Sequence, residues 1–88
     1  PALADEMDKA IYLCAILRAL ECQNALVLIT GSKKPYVLFE HNGQFHLANI
    51  TTATRIYGTK EQVVKALGQD SPKYAFNDSA YEEYGEGE

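Results

Sequence analysis

No window of the sequence holds the run of about eighteen apolar residues that a membrane span requires, and the first residues lack the basic-then-apolar order of a secretory signal. Both absences lead to the expectation of a soluble, cytoplasmic protein with no membrane partner. Cysteine is scarce: Cys14 and Cys22 are the only two. Both fall within one expected helix, roughly 12 Å apart at 1.5 Å of rise per residue, whereas a disulfide needs Cα atoms within about 7 Å. They read as small buried apolar residues of a reducing compartment.

Basic residues are also few. Eight Lys and Arg stand against twelve Asp and Glu, for a net charge of −4. The imbalance is local, because Asp78, Glu82, Glu83, Glu86 and Glu88 share residues 77–88 with no cation, leaving the rest of the chain at +1. A nucleic-acid ligand calls for a basic face, so direct binding of DNA or RNA is not expected. At 88 residues the chain is one domain with a thin core, and such cores are often supplemented by a partner subunit.

What is present begins with a helix. From about Leu3 to Cys22 the residues are good helix formers without Gly or Pro, and Asp5, Glu6 and Asp8 sit where the helix dipole favours anions. Leu3, Met7, Ile11, Cys14 and Leu17 form one apolar stripe, and Leu13, Ile16, Leu17 and Leu20 form a second beside it. The helix thus carries more apolar surface than one small sheet needs. Either the C-terminal segment or another chain should cover the surplus.

Ala25–Thr30 is continuously apolar, as in a strand covered on both faces. Gly31-Ser32-Lys33 follows, but the second glycine and the spacing of a phosphate-binding loop are missing. The firmest local signal is Tyr36–Ile50, two strand-like runs flanking Asn42-Gly43, the pair suited to a type I′ turn. A two-residue turn sets His41 opposite Gln44, Phe39 opposite His46, Leu38 opposite Leu47 and Val37 opposite Ala48. One face then holds Tyr36, Leu38, Phe45 and Leu47, and is expected beneath the long helix. The other holds Val37, Phe39, His41, His46 and Ala48, an apolar and aromatic surface that another element or chain should cover.

Thr51–Tyr57 has the composition of a fourth strand, with Ile56 inward and Arg55 and Tyr57 opposite. Thr59 and Gln62 form a capping box for a short helix that Gly68 stops. Tyr74 and Phe76 alternate as in a short edge strand or extended arm. Residues 77–88 read as a frayed, solvated acidic tail, with a second possibility that Tyr81 and Tyr84 among carboxylates form a recognition segment.

Tests for chemistry give little. His41 and His46 share a hairpin face roughly 7 Å apart, but no third ligand is spaced to complete a zinc site, and His46 is expected to pack on Phe39 instead. A buried helical cysteine is inert, and Glu40 is the only acid in the expected sheet, so neither nucleophilic nor paired-carboxylate catalysis is indicated. No catalytic residue, metal or cofactor is assigned.

The expected fold is α+β, in the order α-β-β-β-β-α, with both helices on one face of a four-stranded, mainly antiparallel sheet over residues 1–76, and an acidic tail over 77–88. The expected role is a non-enzymatic, self-associating module, a homodimer that binds another protein through Val37, Phe39, His46, Tyr57, Tyr81 and Tyr84. The alternative is an acidic inhibitor of the phage or mobile-element type that occupies the nucleic-acid-binding surface of a host enzyme.

Overall fold

Asn42 and Gly43 turn the chain at φ +53° and +80°, and the strands on either side pair in the register a two-residue turn dictates. Around this hairpin the computed structural model describes residues 2–20, 22 and 24–84, with the backbone alone for residues 2–4. Helix α1 (Ala2–Leu20) is followed by β1 (Leu26–Thr30), β2 (Pro35–His41), β3 (Gln44–Asn49) and β4 (Thr54–Gly58), then α2 (Lys60–Lys65), β5 (Pro72–Phe76) and β6 (Tyr81–Glu83). The six strands form one antiparallel sheet in the order β4-β3-β2-β1-β5-β6. Among the described residues no helix is long and apolar enough to cross a membrane.

The two helices lie on opposite faces of the sheet, which corrects the expectation of both on one face. Ala10 and Cys14 of α1 are buried with Val27, Ile29 and Val37, flanked by Leu13, Leu17 and Phe39. Val63 of α2 is buried with Leu26, Leu28, Leu38 and Leu47, flanked by Val64 and Leu67. Strand alternation separates these sets, since Val37 and Leu38 point to opposite sides. The reason α1 takes the valine side is steric. A long helix approaches closely where small residues, Ala10 and Cys14, meet short β-branched ones, whereas the leucine side fills its own space and needs only one helical turn or two above it. β1 is buried at every position, as an interior strand between two covered faces must be.

The sheet has six strands because the chain past Asp70 joins it. β5 pairs with β1 and is interior, where an edge strand or arm was expected, and β6 pairs with β5 through Phe76 and Tyr81. Residues 81–84 are thus part of the body, and 85–88 lie outside the described residues. Alternation of Tyr74 and Phe76 carries the apolar pattern of a strand, while the three-residue β6, all exposed, has no apolar face for sequence reading to detect.

Helix ends follow local chemistry. α1 stops at Leu20, so Cys22 lies beyond the helix and not in its last turn; its N–H donates to the Leu17 carbonyl at 2.8 Å. Thr59 caps α2 with both halves of the capping box formed, at 3.1 Å from Gln62 N–H to Thr59 Oγ1 and 2.9 Å from Thr59 N–H to Gln62 Oε1. Asn49 Oδ1 accepts from the N–H of Thr51 and of Thr52, which bends the chain before β4 and removes residues 51–53 from the expected strand.

Candidate partner-binding surface

Helix α1 rests on the sheet along one side only. Tyr12 and Leu20 remain 70% and 66% exposed, and Ile11 and Ile16 are also exposed. Lys9 and Leu13 border a cleft with Ala48 and Arg55, which fixes the flank of α1 that faces β3 and β4. Ile16 and Leu20 continue that flank at steps of three and four. These four exposed apolar residues were not named individually as partner-binding positions; the signal for them was the width of the apolar arc, which exceeds what a single contact can cover.

Next to this flank the sheet presents a row of rings. Phe39 and His46 stack with centroids 4.9 Å apart, His46 and Tyr57 lie 5.9 Å apart, and His41 and His46 6.5 Å apart. His46 is the most buried of the three rings at 8% exposure, with half-buried Phe39 on one side and Tyr57, 61% exposed, on the other. Burial lowers the His46 pKa from its ordinary value, helped by the positive charge of Arg55 and His41 and opposed by a hydrogen bond to the His41 main chain. The shift favours the neutral ring, which lies buried against Phe39.

The six residues expected at the interface divide into three places. Phe39, His46 and Tyr57 are brought together. Val37, at 0% exposure, is sealed beneath α1, so the chain's own helix covers the centre of that hairpin face. Tyr81 and Tyr84 stand at the other side of the sheet and on opposite faces of it: Tyr81 stacks on Tyr74 at 5.9 Å, and Tyr84 packs against the leucine-side core.

Tyr74, Phe76 and Tyr81 make a second aromatic row on the α1 side. Between Phe76 and α1 runs an apolar cleft of about 370 Å³, bordered by Ile11, Cys14, Ala15 and Val27 and closed at one end by the Arg18–Asp78 ion pair. Burial pushes the Cys14 thiol above its ordinary pKa, against the opposing charge of Arg18, and its Sγ donates to the Ala25 carbonyl at 3.3 Å. A thiol so held is a packing group and a poor nucleophile. Among the described residues no group of three or more His, Cys, Asp or Glu is placed to hold a metal ion. No protein-family model matches the sequence, and no match is found among the curated proteins or the solved structures.

Proposed function

We propose that this chain is a non-enzymatic protein–protein interaction module of the cytoplasm that self-associates through the exposed flank of α1 and the adjoining ring of Tyr57. The observation that carries the reading is the placement of large apolar side chains, Tyr12, Ile16 and Leu20, on the outer surface of the longest element of a very small domain. Exposed apolar surface gathered on one element is the usual mark of an interface. An isologous contact fits a single helix ridge, because the same residues serve both copies.

Sedimentation velocity over a range of protein concentrations tests it. The expected result is a concentration-dependent dimer that Leu20→Glu converts to a monomer, since a charge at the contact must be desolvated. A parent chain that stays monomeric at the highest concentration reached would remove the homodimer from consideration.

A further inference from the structure

Among the described residues the sheet ends at β4 on one side and at β6 on the other. Asn77 N–H donates to the Ala80 carbonyl at 3.0 Å, and Tyr84 N–H to the Lys73 carbonyl at 2.9 Å. With Ala75 opposite Glu82 between them, the antiparallel alternation turns the main chain of Glu82 toward β5 and that of Tyr81 and Glu83 outward. Two N–H and two C=O groups are thus offered along the outer edge. β6 is short and two of its three residues are glutamates, which guards the edge against indiscriminate pairing, while no Pro and no register shift removes its outward main-chain groups.

The side chains select what can add there. Tyr81 and Glu83 lie on the α1 side beside Tyr74, with Tyr81 Oη donating to Glu83 Oε2 at 3.3 Å, and Glu82 lies on the other side. A second copy of β6 would set glutamates against glutamates, which disfavours self-pairing at this edge. Glu82 and Glu83 put two carboxylates on this three-residue edge, and a segment of opposite charge is attracted to it. An added strand places alternate side chains beside Tyr81 and Glu83, where Lys or Arg stacks on the ring and pairs with the carboxylate.

We propose that β6 is a docking edge for an extended, Lys- and Arg-rich segment of a partner protein, which adds to the sheet as a seventh strand. This surface is separate from the α1 flank and does not depend on self-association.

The test uses the full chain and a fluorescein-labelled peptide alternating lysine and threonine, with the same peptide methylated on its lysine backbone nitrogens as control. Fluorescence anisotropy is expected to show binding that weakens with salt. Loss of one backbone hydrogen bond is worth about fivefold in affinity, so the methylated peptide should bind at least about that much more weakly. On the protein, Glu83→Gln removes charge alone, whereas Glu83→Pro also removes an outward N–H without touching the β5 ladder. Glu83→Pro should bind more weakly than Glu83→Gln by a similar factor. Equal binding of the two peptides, equal binding of the two variants, or no binding overturns the proposal. Should Glu83→Pro fail to fold, amide exchange on the parent chain decides: slowed exchange at Tyr81 and Glu83 on adding peptide supports strand addition, and unchanged exchange refutes it.

Discussion

Phe39 and His46 face each other across the β2–β3 ladder with ring planes 9° from parallel, and the Nδ1 of that histidine is buried without a hydrogen-bond partner. A neutral ring tolerates this position and a charged one does not, because burial strips the charged form of water and the Arg55 guanidinium repels it. The unfolded chain therefore binds a proton on this residue more readily than the folded one. Above the ordinary histidine pKa of about 6.5 both states are neutral, and below it folding stability declines until the folded-state pKa is passed. Urea unfolding at pH 7 and pH 5 should show the loss, and His46→Phe should remove the part of it that belongs to this ring. Parent and variant with the same pH dependence would exclude the account.

Asp70 clasps the turn between β1 and β2 to the segment entering β5. Its carboxylate accepts from Ser32 Oγ at 2.6 Å, Ser32 N–H at 2.9 Å and Thr30 Oγ1 at 2.8 Å. The Ser32 hydroxyl is the chief reason its pKa lies below the usual value; the Ser32 N–H, Thr30 and Lys34 add to this against the opposing effect of burial. A depressed carboxyl pKa stabilises the fold above about pH 3.9 and ceases to do so as the pH falls through the folded value. Asp70→Ala takes away the 2.8 Å acceptor of the buried Thr30 hydroxyl, leaving it only Ser32 Oγ at 3.4 Å, and should cost about 1–3 kcal/mol in urea unfolding at pH 7. The difference from the parent should shrink at pH 3, and a constant difference would count against the charge-based part.

The capping box of α2 gives a prediction confined to one helix end. Thr59→Ala should cost about 1 kcal/mol by removing the acceptor for the Gln62 N–H. Gly58→Ala should cost at least as much, since φ +156° strains any side chain there and a Cβ would also meet the Gln62 side chain and force it off the Thr59 N–H. A double-mutant cycle should find the two changes less than additive, because each opens the same box. Full additivity would mean the two residues act separately.

Much of the local structure was legible because it depends on neighbours in the chain. Asn42-Gly43 dictates the hairpin register through turn geometry, Thr59 and Gln62 start α2 through their own hydrogen bonds, and the unbroken apolar run to Thr30 marks an interior strand. The ring stack of Phe39 on His46 follows from that register. Other features were hidden for a physical reason. Both faces of the hairpin are apolar, so alternation separates Val37 from Leu38 without deciding between them; the face of Tyr36, Leu38, Phe45 and Leu47, expected beneath α1, meets α2 instead, and α1 covers the Val37 face. The Asn49 side chain, by accepting from two backbone N–H groups, ends β3 and delays β4 in a way that strand propensity does not register.

The amino-acid order alone therefore determined the elements whose stabilising contacts are close in sequence: the hairpin, the capped helix, the long N-terminal helix and the concentration of acid near the C-terminus. Tertiary structure decided which side of the sheet each helix covers and that Tyr81–Glu83 becomes a sixth strand. Those outcomes rest on contacts between distant segments, on the fit of Ala10 and Cys14 over Val27 and Val37 and on the ladder between β5 and β6, and no local pattern encodes the shape of a surface that forms only when the segments meet.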